Sequence, residues 1–505
     1  MLISPPVPDC YDAFPLVGPA QLRAFAELHG FQLDLVDLTT RIRHAHRFPH
    51  RRRPFPRFPL VLFGDKARVW AHLDGRVDPK IQRLVDGIIE LGNLGSYNLV
   101  GFCLHSRMGI AAALCISKTL KERFGATIVL GGASIIRGDL DPLMEFSWID
   151  YLVKGDGEEP LIRILRKHAA GEEVELEGVC TRGEGGEIRF APPNRFSIHD
   201  RPAPVFGEED LECQRRLSLS GRLLLPYVLT RGCRYKCSFC PDYPGTAFEY
   251  RATETIVEQL RSLRARYDTD SFYFCESNIN NDPKQIRQLS KALIDADLSI
   301  EWGGLGTIAG IDAELIDLMA RAGCKYIQIG MESGERLVLN RMNANKCWDL
   351  DEMKEVLMQL SRSGIGTHLF FIVQYPHESR EAFDASLRFL SEMAPYIITS
   401  SAFIFQLEET TPIALKPDRF GVKLRPADTS RYGVLTAEIP FDELGGLAWE
   451  ERGELARQRA EEFRRVIWRQ VDKPIAIRLL RKNPAYMLRK YLFAPYRTPE
   501  TYLAV

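Results

Sequence analysis

No stretch of about 18 consecutive apolar residues occurs in this chain, which excludes a membrane-spanning helix of the usual kind. Charge of one sign is missing too. Lys and Arg number 66 and Asp and Glu 67, a formal net charge of −1, so the chain as a whole is not drawn to nucleic acid or to an anionic membrane. The opening MLISPPVPDC lacks the basic region and apolar stretch of a signal peptide. The eleven cysteines are odd in number and irregularly scattered, which argues against a disulfide framework and for a reducing, cytoplasmic setting. What remains is an ordinary globular composition, 45% hydrophobic and 26% charged, over 505 residues, long enough for two or three domains.

Residues 1–170 alternate short apolar strands with amphipathic helices. The segments MLISPP, FQLDLVDLT, NLVGFCL, TIVLGG and IDYLVKG read as strands, and PAQLRAFAELHG, KIQRLVDGIIELG, GIAAALCISKTLKERFG and EEPLIRILRKH as helices. Alternation of this kind predicts a doubly wound, mainly parallel sheet with helices on both faces, whose ligands sit beyond the C-terminal strand ends. Residues 171–222, rich in Gly, Pro and charge, interrupt the rhythm and read as a linker. A second βα series runs over 223–415, with six strands against the eight of a closed barrel, and predicts an open (βα)6 partial TIM barrel. In it Asp282 and Pro283 open a helix that places Ile286, Leu289 and Leu293 on one face. Residues 416–505 read as a helical C-terminal extension, WEERGELARQRAEEFRRVIWRQV followed by the basic IRLLRKNPAYMLRKYL, packed on the barrel or, as the alternative, on a partner or membrane surface.

The chemistry concentrates in TRGCRYKCSFCPDYPG, where Cys233, Cys237 and Cys240 are spaced C-x3-C-x2-C just after a strand. Three thiolates on one tight loop can bind three irons of a cubane iron–sulfur cluster and leave the fourth open to a small molecule. A structural zinc site is closed and four-coordinate, and no further Cys or His follows within about 30 residues. Three unrelated core cysteines are the remaining reading, set against the charge and aromatics of RGCRYKC.

C-x3-C-x-aromatic-C after the first strand of a six-strand βα series resembles the radical S-adenosylmethionine (radical SAM) superfamily. The resemblance implies a [4Fe-4S] cluster on Cys233, Cys237 and Cys240, whose open iron binds the amino and carboxylate groups of SAM. It also implies reductive cleavage of SAM to a 5′-deoxyadenosyl radical, and an electron donor such as flavodoxin or ferredoxin. Phe239 matches the aromatic position beside the adenine. Glu276 and Asn278 in FYFCESN match the second-strand groups for the SAM amino group, and Glu332 and Ser333 in GMESG match the ribose motif. FIVQYPHES resembles the fifth-strand segment, although Gln374 and His377 stand where glycines are usual, and FQLEETTP resembles the sixth-strand ending.

The α/β unit, linker and barrel in this order resemble the cobalamin-binding (class B) branch, methyltransferase-like in type. That resemblance implies cobalamin near Cys103, His105, Ser106, Gly131, Gly132, Gly155 and Gly157, all at strand ends, with Gly131 and Gly132 letting backbone approach a bulky ligand. The Asp-x-His-x-x-Gly motif of many cobalamin domains is absent, so no lower imidazole ligand is expected; His105 is read as a structural histidine in preference to a lower-face group. The stretch 41–59, RIRHAHRFPHRRRPFPRFP, interleaves basic residues with aromatics and reads as a solvated loop or lid, with nucleic acid as the minority alternative. Of the other cysteines, Cys10, Cys115, Cys180, Cys213 and Cys347 read as buried or incidental, and Cys275 and Cys324 as substrate-facing candidates. The expected activity is that of a cobalamin-dependent radical SAM C-methyltransferase acting on a small-molecule or peptide substrate at an unactivated carbon, the substrate being a natural product, peptide or tetrapyrrole. Its rivals are cyclisation or rearrangement on the same cofactors, and a non-catalytic Fe-S or RNA-binding protein. A tRNA methylthiotransferase would need three more cluster cysteines in the first domain.

Overall fold

The computed structural model describes all residues except 8–14, 48–59, 137–139, 172–175, 184, 219–220, 242–247, 343–348, 427–437 and 473–505. The chain divides into two compact units, one built on residues 1–227 with 265–271, the other on 228–264, 272–426 and 438 onward.

In the first unit, β1 (Leu2–Ser4), β2 (Leu35–Asp37), β3 (Leu99–Cys103), β4 (Thr127–Gly131) and β5 (Tyr151–Val153) pair in parallel, and β6 (Val179–Arg182) and β7 (Ile188–Arg189) add antiparallel at one edge. The order β2-β1-β3-β4-β5-β6-β7 reverses direction between β1 and β3, the switch point at which open α/β sheets hold ligands. The helices form where the pattern expects them. Pro79–Gly92 begins at Asp78, whose carboxylate accepts from the Lys80 and Ile81 N–H groups, and it buries Ile81, Leu84, Val85, Ile88 and Ile89.

Two sequence expectations need revision here. The 171–222 stretch contains β6, β7 and a helix, Glu208–Leu217. That helix packs on Leu38–Arg47: the Asp210 carboxylate accepts from the Asp37 N–H at 2.8 Å and pairs with Arg41 at 2.7 Å, and Gln214 donates to the Thr40 hydroxyl at 2.6 Å. Composition signalled loop because the elements are short and stabilised by partners distant in sequence. The basic 41–59 stretch begins inside the helix Leu38–Arg47, since its first proline comes only at Pro49; residues 48–59 lie outside the described residues.

In the second series, β8 (Leu225–Tyr227), β11 (Ser271–Phe274), β12 (Glu301–Gly306), β13 (Cys324–Glu332), β14 (Gly366–Val373) and β15 (Thr399–Ile404) form a six-stranded sheet in chain order, β15 and β8 at its two edges. The pairs from β12 to β15 are parallel. A short antiparallel pair, β9 (Thr230–Arg231) with β10 (Glu249–Tyr250), stands just after β8. The helix Pro283–Asp295 is capped by Asp282 and buries Ile286, Leu289 and Leu293, as its spacing predicts.

The C-terminal extension is helical only in part. Alternating VKL and FDE form an antiparallel pair, β16 (Val422–Leu424) with β17 (Phe441–Glu443), before the helix Trp449–Val466. The second basic helix expected from the sequence lies outside the described residues. No described helix is long and apolar enough to cross a membrane.

Candidate active site

The cysteine loop is a hairpin excursion. Arg231 pairs with Glu249 and Thr230 with Tyr250 at its neck, so residues 232–248 leave and return at one point beyond β8. Cys237 is buried, and Cys233 and Cys240 are half-buried. Asn281 holds the first cysteine: its side-chain oxygen accepts from the Arg234 N–H at 3.2 Å and from the Cys233 thiol at 3.3 Å, while its amide donates to the Gly232 carbonyl at 3.4 Å. Ser238 holds the other two. Its N–H donates to the Met342 carbonyl at 2.8 Å, its carbonyl accepts from Ile413 at 3.2 Å, and its hydroxyl lies 2.8 Å from that of Tyr375, which donates to the Arg341 carbonyl at 3.1 Å. Neither Asn281 nor Ser238 stood out in the sequence, because their partners are remote in the chain. Phe239 packs half-buried in an apolar cluster with Tyr375, Phe405 and Leu407.

Among the described residues no three His, Cys, Asp or Glu side chains converge on a single ion. A cubane several ångströms across needs no such convergence, and three thiols from one clamped loop suit it better than they suit zinc.

The strand ends next to this loop carry buried polar atoms that have no hydrogen-bond partner among the described residues: Glu276 Oε2, Asn278 Nδ2, Thr230 Oγ1 and both side-chain polar atoms of Gln374. Leaving such a group unsatisfied costs about 1–3 kcal/mol, so these atoms fit a polar ligand such as SAM. Glu276, 4% exposed, accepts from the Leu229 N–H with Oε1, and from the Thr230 N–H at 3.4 Å with the same oxygen. Glu332, Gln374 and His377 have φ of 65°, 61° and 60°, a left-handed conformation that costs non-glycine residues about 1–2 kcal/mol each. Such strain gathers where ligands are held. The glycine-for-Gln374 and glycine-for-His377 departures seen in the sequence are therefore substitutions into a glycine-like turn. Ser333 is turned inward: its hydroxyl lies 3.3 Å from that of Ser386 and accepts from the Glu335 N–H at 3.1 Å. It ties the turn after β13 to the helix Arg380–Met393.

Burial pushes the Glu276 carboxyl up to about 7, and the N–H bonds and Arg251 draw it back only partly. Between its ordinary value and about 7 the folded protein holds a proton that the unfolded chain has lost, so stability falls as pH rises through that window. Burial raises Glu378 to about 7 as well, against the pull of Arg459. Replacing Glu276 with Gln keeps an acceptor for Leu229 and removes the buried charge. Urea unfolding at pH 5 and pH 8 is expected to show the variant losing less stability than wild type across this range, by on the order of 2 kcal/mol. SAM affinity is expected to fall in the same variant.

The interior polar face of the second sheet was not anticipated. Burial alternates along β14, and on one side His368 lies 3.2 Å from the Tyr326 hydroxyl and 3.0 Å from that of Ser401, while Tyr273 bonds Gln328. Burial lowers His368 to about 4, leaving a neutral imidazole near neutral pH. Cys275, a substrate-facing candidate, is half-buried, whereas Cys324 is fully buried with its thiol pushed up.

In the first unit, Cys103 ends β3, His105 and Ser106 follow it, Gly131 and Gly132 close β4, and Gly155 and Gly157 follow β5, so adjacent strands gather all seven at one sheet edge. The glycine argument changes, however. A Cβ on Gly132 (φ 115°) would lie 2.7 Å from the Leu104 backbone, and one on Gly155 (φ 83°) 2.1 Å from the Asn194 carbonyl. The close approach these glycines permit is to the protein's own backbone. Ser106 caps the next turn by accepting from the Met108 N–H, and burial pushes the Cys103 thiol up to about 12, which keeps it protonated. What fits a bulky cofactor here is the strand-end edge and switch point. Cys10 and Cys347 lie outside the described residues; Cys115, Cys180 and Cys213 are buried.

Comparison with known proteins follows this geometry. Residues 227–390 match the model of the radical SAM superfamily. The chain is 23% identical over 332 residues to the anaerobic magnesium-protoporphyrin IX monomethyl ester cyclase of Rubrivivax gelatinosus, covering 64% of this chain and 57% of that one. Two solved structures share the fold. The radical SAM methyltransferase TsrM from Kitasatospora setae, with cobalamin and a [4Fe-4S] cluster bound, has a TM-score of 0.60 at 18% identity, over 86% of this chain and 83% of that one. The cobalamin-dependent radical enzyme OxsB, with aqua-cobalamin and SAM bound, has a TM-score of 0.63 at 13% identity, over 99% of this chain and 69% of that one. The curated relative is matched over little more than half its length. Residues 227–390 thus carry a radical SAM domain, and the chain shares the α/β fold of the cobalamin-dependent enzymes TsrM and OxsB.

Proposed function

We propose that the chain is a cobalamin-dependent radical SAM enzyme that transfers a methyl group to an unactivated carbon of a natural-product, peptide or tetrapyrrole substrate. The observation that carries this reading is the clamped three-thiol loop beside the buried atoms Glu276 Oε2, Asn278 Nδ2 and Gln374 Oε1 and Nε2, which have no hydrogen-bond partner among the described residues. Cys233, Cys237 and Cys240 would hold a [4Fe-4S] cluster, Phe239, Glu276, Asn278, Glu332 and Gln374 would surround SAM, and the β3–β5 strand ends, with Cys103, His105, Ser106, Gly131, Gly132, Gly155 and Gly157, would border cobalamin. When bound, these cofactors supply a carbon-centred radical and a methyl group. The protein's share is to bind, orient and exclude water. Asn281 and Ser238 fix the loop, the strained turn 374–378 presents its carboxamide, and the neutral face of Tyr273, Gln328, Tyr326, His368 and Ser401 meets the substrate inside an open partial barrel. A flavodoxin- or ferredoxin-type protein is the proposed electron donor.

The name of the Rubrivivax relative favours a second reading on the same cofactors, ring formation without methyl transfer. Anaerobic incubation of the reconstituted protein with SAM, reductant and candidate substrate decides between them. S-adenosylhomocysteine beside 5′-deoxyadenosine supports methyl transfer; deoxyadenosine alone supports cyclisation or rearrangement. The non-catalytic RNA-binding reading is weakened by Arg41, which is committed to Asp210 and Glu209, and it requires salt-sensitive RNA binding without SAM cleavage.

A further inference from the structure

A cavity of about 640 Å³ opens beside the cysteine loop and shares no lining residue with the cluster cysteines or the orphaned strand-end groups. Four cations line it: Lys236 from the loop, Arg341 from the end of the short helix Arg336–Arg341, and Lys416 and Arg419 from the segment after β15. No described carboxylate lines it. Lys416 precedes and Arg419 lies within a 3-10 turn, Pro417–Phe420, and both line the same cavity. The segment is fixed: Ile413 donates to the Ser238 carbonyl at 3.2 Å, and Lys416 and Arg419 donate back to Pro412 and Lys416 at 3.1 Å each. Apolar walls come from Leu415 and Phe420, and Ser238, Tyr375, Asn340 and His377 add polar groups to the lining.

Four converging cations match a dianion or polyanion better than a single carboxylate, and arginine forks suit phosphate oxygens. The volume lies in the range of small-molecule sites, and the apolar walls suit an organic body. We propose that this cavity is a binding site for an organic phosphate, held by Lys236, Arg341, Lys416 and Arg419 next to the cysteine loop. Ser238 and Tyr375 also clamp the cysteine loop, but the test reads phosphate binding alone and needs no SAM cleavage.

Calorimetric titration of the full chain with ADP, adenosine and inorganic pyrophosphate is the experiment. ADP and pyrophosphate are expected to bind, adenosine at least about tenfold more weakly than ADP, and raising salt from about 50 to about 500 mM to weaken the phosphate-bearing probes. The double variant Lys416→Gln, Arg419→Gln is expected to bind pyrophosphate at least about tenfold more weakly with an unchanged melting temperature, since both side chains are exposed. Unchanged pyrophosphate affinity in that variant overturns the proposal, as does ADP binding no tighter than adenosine. Failure of all phosphate probes beside binding of an acidic protein also overturns it, in favour of a protein-docking face. Loss of SAM cleavage in wild type would bear on the proposed enzyme function alone.

Discussion

Cys237→Ala is expected to yield a folded protein that binds no intact cluster and forms no detectable 5′-deoxyadenosine. Cys237 is buried, so its loss costs some packing. The clamps that shape the loop are the bonds of Ser238 and Asn281, and none of them uses the Cys237 thiol. The fold should therefore survive while the cluster loses one of its three protein ligands. Cys233→Ala and Cys240→Ala are expected to behave alike in iron and sulfide content and visible absorbance, and Cys233→Ala additionally removes a bond to Asn281. Cys115→Ala, altering a thiol buried in the other unit, should leave iron content unchanged. A Cys237→Ala protein that retained full iron and sulfide would remove the assigned role of the motif.

The second large effect is expected at Arg452, a guanidinium 1% exposed on the helix Trp449–Val466. It donates to the Gln374 carbonyl, lies 3.6 Å from Glu443, and rests over the rings of Phe441 at 4.4 Å and Phe405 at 5.3 Å. Two turns of helix away, Arg459 donates to the Glu378 carbonyl at 3.0 Å and pairs with its carboxylate at 3.3 Å. Together the two arginines close the strained turn from outside. Arg452→Met leaves the Glu443 carboxylate and the Gln374 carbonyl buried without that partner, a class of change that costs about 3–5 kcal/mol. Chemical unfolding should show the loss. SAM affinity should fall with it while the iron content of the reconstituted protein persists, because the arginine acts through Gln374 and touches no cysteine. Arg452→Lys should restore part of the stability through its charge and less of the SAM affinity, since lysine lacks the planar fork. Equal SAM affinity in wild type and Arg452→Met would show that the turn does not depend on this helix.

Sequence and structure agree where the deciding interactions are local. C-x3-C-x2-C is readable because three ligands of one kind sit within eight consecutive residues, and the helix after Asp282 is readable because cap, proline and apolar spacing lie within one element. The strands β6 and β7 were hidden in a stretch rich in glycine and proline, since two- to four-residue edge strands carry too little periodicity. Asn281, 48 residues from Cys233, and Arg452, 78 residues from Gln374, could not be assigned, because nothing in their own neighbourhoods names the partner. Gln374 and His377 were visible as departures from a glycine pattern; only the backbone angles show that the chain keeps the glycine conformation and bears the strain. Gly132 and Gly155 stood out at strand ends, but only the structure shows that each lies against main chain remote in sequence, Leu104 and Asn194.

The clasp of the turn by a helix some 80 residues downstream has a consequence for biosynthesis. Arg459 lies 81 residues beyond Glu378, so a ribosome that has released the whole six-stranded sheet has not yet made the residues that close it. Because domains tend to fold from the N-terminal end as they emerge, the nascent sheet waits with Glu378 lacking its arginine, and a chain stopped at that point carries all three cysteines beside a turn it cannot clasp. Order at the Gln374–Glu378 turn is thereby tied to synthesis of a helix well downstream of the sheet, and chains stopped before Trp449 are expected to leave that turn unclasped.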